Sequence, residues 1–243
     1  MSPNPDLLLR DPGIDHERAL AETGQRYLIG IDEVGRGAVA GPVCVGAVAV
    51  DLHALTLLEG VRDSKLLTPA QREALVPAIR SWGTACAVGE ASPDEIDAFG
   101  ITTALRLAGR RAIAELRLPG PDADAGPARG CSILLDGSHD WLSDPAADLF
   151  TVDAEALTGM PELPPYPVRT LIKGDRSVLT IAAASVLAKV HRDGIMVTLH
   201  DEHPQYEWVR NMGYKTAAHS RAIAAHGLCR YHRRSWRIQG VQP

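Results

Sequence analysis

Two short apolar runs in this chain lead into acidic residues and a third strand-like run stands just before another, and no other pattern limits its fold as much. Residues 27–31 run into Asp32 and Glu33, residues 133–135 into Asp136, and residues 168–172 stand just before Asp175. Apolar runs of this length, bounded by turn residues, are the mark of buried strands. In open α/β sheets, ligands bind in the crevice beyond the carboxyl ends of the strands. Carboxylates that converge there must share protons or take up cations. Hard oxygen ligands with no His or Cys beside them select Mg²⁺ or Mn²⁺ over zinc. Each acid also has a plainer reading. Asp136-Gly137 is a turn signal, and Asp175 can cap the helix that follows. Neighbouring strand residues point to opposite faces. Asp32 and Glu33 therefore share a site only if the strand ends or bends between them, which Gly35 and Gly37 make easy.

The remaining patterning supplies the elements around these ends. A glycine-punctuated turn leads from Glu33 into a second strand at 42–50, and 84–88 reads as a third. Thr68-Pro69-Ala70-Gln71 and Ser92-Pro93-Asp94-Glu95 are capping boxes with proline at the first helical position. The second opens a helical stretch to residue 118 with a break near Gly100. An alanine-rich helix at 181–196 has its apolar periodicity broken by Lys189 and Arg192, and a last helix at 216–225 stops at Gly227. Strands in a row, then strands alternating with helices, imply a mixed α/β sheet covered on both faces.

Charge is distributed unevenly. Residues 1–162 carry 13 Lys and Arg against 25 Asp and Glu, whereas 163–243 carry 12 against 5, so a chain of net charge −5 ends in a basic third. Such a patch is the electrostatic footprint of a phosphate-rich partner. Six of the eleven aromatics lie there too (Tyr166, Tyr206, Trp208, Tyr214, Tyr231, Trp236), available for base stacking or for a core. The length of 243 residues suits one domain with a short appendage. The longest uncharged stretch, 37–50, has 14 residues, below the roughly 20 that a membrane span needs. The first 25 residues lack the basic start and apolar run of a secretory signal, so the expected location is cytoplasmic. Cys44, Cys86, Cys131 and Cys229 form no CxxC pair and read as reduced, buried thiols. With no heptad pattern or large exposed apolar stripe, a monomer is expected.

Asp32-Glu33-Val34-Gly35-Arg36-Gly37, followed by Ala40-Gly41-Pro42-Val43, resembles the signature of the type 2 ribonucleases H, and among them the bacterial ribonuclease HII family. Further blocks follow in that family's order: Asp63-Ser64-Lys65-Leu66, Glu95-Ile96-Asp97, Leu135-Asp136-Gly137, Ile172-Lys173-Gly174-Asp175, residues 183–190 with Arg192-Asp193, Gly213-Tyr214-Lys215-Thr216 with His219, and His232-Arg233-Arg234-Ser235. The resemblance covers about residues 28–236. It implies a ribonuclease H-like mixed five-stranded sheet with helices on both faces and a small C-terminal helical segment. The implied divisions are an extension at 1–25, a catalytic domain at 26–203 with an acidic insert at about 138–167, and a basic C-terminal segment at 204–243 packing on that domain.

By the same resemblance, Asp32, Glu33, Asp136 and Asp175 would hold two divalent cations, Mg²⁺ or Mn²⁺, around a scissile phosphate. The implied enzyme is an endonuclease cutting RNA in RNA–DNA hybrids and cutting 5′ of single ribonucleotides in duplex DNA. Its products would be a 5′-phosphate and a 3′-hydroxyl, in ribonucleotide removal and RNA primer clearance. Choosing RNA requires a group that senses the 2′-hydroxyl, a role the resemblance gives to Gly35-Arg36-Gly37, with Tyr214 packing on the following deoxyribose. Ser64, Lys65 and Lys173 are the implied phosphate contacts. Asp63 and Asp193 are alternative ligands, but Asp193 lies 18 residues beyond Asp175 within a helix, so Asp175 is preferred. His219 reads as packing or surface, and the insert as a surface excursion. Met212 and Lys215 depart from the family pattern beside Tyr214. Two competing readings remain: a resolvase- or transposase-like enzyme indifferent to a 2′-hydroxyl, and a hybrid-binding module with a vestigial metal site.

Overall fold

Strand β1 (Tyr27–Val34) outruns its apolar residues and carries Asp32 and Glu33 within it. Its antiparallel pairing with β2 (Val43–Asp51) continues to Val34↔Cys44, whereas its parallel pairing with β4 (Cys131–Asp136) stops at Ile31↔Leu135. The expected strand end at residue 31 is thereby corrected: bonding to β2 prolongs the strand, while the β4 side is no longer paired from Asp32 onward. With β3 (Ala85–Ala91) antiparallel to β2 and β5 (Val168–Leu171) parallel to β4, the five-stranded sheet has the order β3-β2-β1-β4-β5. In this computed structural model the described residues are 11–118, 130–144 and 159–236.

Six helices surround the sheet among the described residues: α1 (Asp15–Glu22), α2 (Pro69–Trp82), α3 (Pro93–Leu116), α4 (Leu179–Glu202), α5 (Trp208–Asn211) and α6 (Ala217–His226). Both capping boxes form in full, and Gly100 breaks α3 with a φ of 77°. The two-residue period of the strands divides the core. Ile29, Ile31, Val45, Ile133 and Leu135 pack against Leu105 and Ala108 of α3, while Leu28, Val48 and Leu134 pack against Ile181 and Ala184 of α4. The sheet is thus covered on both faces, as expected. A Cβ on Gly46 would stand 2.2 Å from the Ala184 carbonyl oxygen, so the absent side chain lets α4 press against the strand that flanks Asp32.

Two features depart from the sequence reading. Helix α1 was not foreseen within the extension. Its buried Glu17 accepts hydrogen bonds from Thr180 N at 3.0 Å and Thr180 Oγ1 at 2.7 Å, capping α4, whose own N-cap Val178 offers no side-chain acceptor. The expected surface excursion fails at its start, because Trp141 and Leu142 are buried in the α3 side of the core. Gly109 of α3 leaves room for the indole, and Arg110 donates to Asp144 at 2.7 Å. Residues 145–158 of that expected insert lie outside the described residues. A third apolar cluster, including Val39, Ala40, Met196, Tyr206, Trp208 and Ile223, joins the C-terminal helices to the loop after β1.

Candidate active site

Where β1 outruns β4, four carboxylates come within electrostatic reach of one another. Burial pushes the Asp32 carboxyl up to about 8; a hydrogen bond with Ser185 of α4 opposes this, and the charges of Asp136, Glu33 and Asp175 add to it. Glu33 is raised by burial, with Arg36 opposing and Asp136 reinforcing. The Arg36 guanidinium lies 3.3 Å from Glu33. Asp175 is raised by burial and by the charges of Asp136 and Asp63, against Lys65 and Arg176. Asp136 thus acts on all three of the others. Its Oδ1 accepts from Gly174 N at 2.7 Å, which ties the end of β4 to the 3₁₀ turn Gly174–Arg176 that carries Asp175.

Cationic and hydroxyl groups line the other side. Lys65 Nζ stands 3.7 Å from Asp175 and 3.9 Å from Asp63. Burial alone would lower the Lys65 pKa, but the charges of Asp63, Asp175, Asp32 and Asp136 more than offset it and raise it. Ser64 Oγ and Ser185 Oγ are 2.9 Å apart. The two alternative acids have other partners: Asp63 caps its 3₁₀ turn by accepting from Lys65 N at 3.0 Å, and Asp193 pairs with Lys189 at 2.8 Å and Arg72 at 3.5 Å.

The loop between β1 and β2 closes the site. Gly35 has a φ of 84°, and a Cβ there would collide with the Arg192 side chain, whereas Gly37 has open space around its Cα. Fully buried Arg233 donates to the carbonyls of Gly35, Arg36 and Gly41 at 2.7–3.2 Å. Burial, reinforced by the charge of Arg192, pushes its pKa down to about 9. Behind Tyr214, His219 is buried and its Nδ1 lies 3.0 Å from the Tyr214 carbonyl oxygen. His219 therefore holds the backbone of that turn instead of lying on the surface.

A cavity of about 230 Å³ brings together Asp32, Glu33, Gly35, Arg36, Gly37, Ser64, Lys65 and Tyr214. Asp136 and Asp175 join this group through the couplings described above. Lys173 does not line the cavity; it is exposed, in a left-handed conformation two residues before Asp175. Ser185 and Lys189 of α4 also line the cavity, beyond the residues that the resemblance assigns to the substrate. The interruption of the apolar period by Lys189 and Arg192 was their available signal, since residues four apart share a helix face. Among the described residues no group of three or more His, Cys, Asp or Glu is arranged to hold a metal ion. By chemistry, however, the donors fit hard divalent ions: all four are carboxylates, and Asp32 is buried among negative neighbours with a cation as the natural complement.

The fold resembles that of solved ribonucleases H. The ribonuclease H2 of Pyrococcus horikoshii superposes with a TM-score of 0.63 at 24% identity, covering 87% of this chain and 94% of that one. A ribonuclease HIII (Bst-RNase HIII) solved in complex with Mn²⁺ gives a TM-score of 0.60 at 22% identity, over 86% of this chain and 65% of that one. Sheet order, helices on both faces and acids at the strand ends define the class: a ribonuclease H-type fold. The family model described as Ribonuclease HII matches residues 29–118 and 149–239, so that Asp136 falls between the matched stretches. Ribonuclease HII of Streptomyces avermitilis is 43% identical over 228 residues, covering 93% of this chain and 84% of the relative. That of Anaplasma phagocytophilum is 36% identical over 93% of this chain and 92% of the relative. The chain belongs to the ribonuclease HII family and is an endoribonuclease of the ribonuclease H type. No helix among the described residues is long and apolar enough to cross a membrane.

Proposed function

We propose that this endoribonuclease cuts the RNA strand of RNA–DNA hybrids and also cuts duplex DNA on the 5′ side of a single embedded ribonucleotide. The observation that carries this reading is the coupling of buried Asp32 to Asp136, Glu33 and Asp175 beside a glycine loop and an exposed tyrosine. Asp32, Glu33, Asp136 and Asp175 would hold two divalent cations, Mg²⁺ or Mn²⁺. When bound, these ions supply activation of the attacking water and stabilisation of the departing 3′ oxygen.

The chain's own groups do the rest. Gly35, Arg36 and Gly37 bring backbone amides and carbonyls close enough to sense a 2′-hydroxyl. Tyr214 packs on the next sugar, a deoxyribose at a ribo-to-deoxyribo junction. Lys65 and Ser64, at the cavity wall, and Lys173, outside it, are the phosphate contacts. In domain terms, 26–203 would be the catalytic unit, with 1–25 as an extension and 204–243 as a basic segment packing on it. The setting is cytoplasmic ribonucleotide removal and primer clearance by a monomer.

The test is to incubate the protein with a uniform RNA–DNA hybrid and Mg²⁺ or Mn²⁺, with a chelator as control, and to map the product ends. Metal-dependent 5′-phosphate and 3′-hydroxyl ends are expected. Cleavage that survives chelation, or that leaves 2′,3′-cyclic phosphates, would contradict the two-ion reading.

A further inference from the structure

Arg192 lies fully buried in α4, and its fork reaches two separate loops. Nε donates to the Pro42 carbonyl at 2.9 Å and Nη2 to the Ala40 carbonyl at 3.0 Å, both in the loop after β1. Nη1 donates to the Met212 carbonyl at 2.8 Å, at the turn that presents Tyr214. The guanidinium carbon is 5.6 Å from the centre of the Tyr214 ring, within range of a cation–π contact. Backbone bonds reinforce the joint, because Val39 N and Ala40 N both donate to the Gly213 carbonyl, at 2.9 and 3.1 Å. Gly213 has a φ of 78°, and a Cβ there would stand 2.4 Å from the Ala40 carbonyl oxygen. The two loops therefore meet without slack.

We propose that Arg192 is a positioning residue that fixes the spacing between the Gly35-Arg36-Gly37 loop and Tyr214, and so sets the preference for a ribose followed by a deoxyribose. This rests on the roles proposed above for those two elements. The preference depends on that spacing for a chemical reason. On a uniform hybrid the ribose 3′ of every cleavage point is itself followed by another ribose, so packing of Tyr214 on a deoxyribose contributes only at a junction. A shift between the loops then costs junction cleavage more than hybrid cleavage. Lysine cannot replace the arginine, because one ammonium on a flexible stem cannot hold three carbonyls in a fixed plane as the guanidinium does.

The readout is the ratio of kcat/KM on a duplex bearing one ribonucleotide to kcat/KM on a uniform hybrid, measured beside a circular dichroism melt. For Arg192→Lys the ratio is expected to fall at least tenfold. Tyr214→Ala should lower it similarly, and adding Arg192→Lys to Tyr214→Ala should lower it no further. Gly213→Ala pushes the same joint apart with Arg192 intact, is expected to lower the ratio in the same way, and decides the matter if Arg192→Lys does not fold. Equal loss on both substrates would reduce Arg192 to a structural role and overturn the inference. A wild-type preference that persists in both folded variants would overturn it alone. Wild-type protein that cuts all-DNA duplex as well as the ribonucleotide-bearing one would overturn the parent reading, and this inference with it.

Discussion

The Lys65 ammonium stands 3.7 Å from Asp175 Oδ2, on the side of the carboxylate cluster that faces the cavity. It acts as a built-in counter-ion, which raises two opposed expectations. Lys65→Met removes a positive charge that competes with a divalent ion, so Mn²⁺ should bind roughly three- to tenfold more tightly, the scale of one partly screened charge at such range. The same substitution removes a phosphate contact, so KM for a hybrid should rise. Calorimetric titration with Mn²⁺ and steady-state kinetics check the pair. Unchanged Mn²⁺ affinity would show that Lys65 is not the counter-ion of this cluster.

The two glycines that flank Arg36 should behave differently. Gly35→Ala places a side chain at positive φ and against Arg192, so a loss of at least about 2 kcal/mol is expected. That corresponds to a fall in Tm of roughly 4–8 °C for a chain of this size. Gly37→Ala meets no atom within 4 Å, so Tm should hold while discrimination between ribonucleotide-bearing and all-DNA duplexes declines. Thermal melts beside cleavage ratios distinguish the two. A Gly37→Ala variant with undiminished discrimination would remove that glycine from the sensing loop.

Acid should loosen the C-terminal segment through its buried histidines. His219 Nδ1 donates to the Tyr214 carbonyl, its Nε2 accepts from the Trp208 indole at 3.1 Å, and His232 Nδ1 accepts from Cys229 N at 3.1 Å. Neutral His232 then donates from Nε2 to His219 Nε2, also at 3.1 Å. Burial, with His219 adding, pushes His232 down to about 4, and burial lowers His219 as well. A histidine depressed on folding contributes stability above its unfolded pKa near 6.5, and that contribution is lost as pH falls towards the folded value. For His232 the loss at pH 5 is about 2 kcal/mol. The indole N–H resonance of Trp208, which reports the folded state, should hold from pH 6.5 to 5 and move only as pH nears about 4. A signal that moves near pH 6.5 would show that burial does not hold the pair neutral.

Much of the fold is legible because local signals and tertiary packing agree. Thr68 and Ser92 announce α2 and α3 through their own side chains, and the apolar runs become strands because both faces of the sheet are covered. Two boundaries were not legible, since partners distant in sequence decide them. β1 passes residue 31 only because β2 bonds to it there, and α1 is held by Glu17 reaching Thr180, 163 residues away. In the site, the acids could be read because each follows a short strand-like run in sequence, although Asp32 and Glu33 stand within β1 and Asp136 is the last residue of β4. Arg192 and Arg233 could not be read as organisers of the glycine loop, because their partners are backbone carbonyls, which have no signature in sequence. Trp141, within an acidic proline-rich stretch, is buried because Gly109 of α3 leaves a space for its ring.

Asp136 acts on each of the other three carboxylates and anchors the Asp175 turn through Gly174, so the role of the cluster is tested most directly there. The measurement is cleavage of duplex DNA containing one ribonucleotide, in Mg²⁺, by wild type and Asp136→Asn, with an all-DNA duplex alongside. Wild type is expected to cut only the ribonucleotide-bearing strand, on its 5′ side, and Asp136→Asn to lose at least about a thousandfold in rate, of order 4 kcal/mol, with its melt preserved. Wild-type activity in a folded Asp136→Asn protein, or equal cutting of both duplexes by wild type, would contradict this.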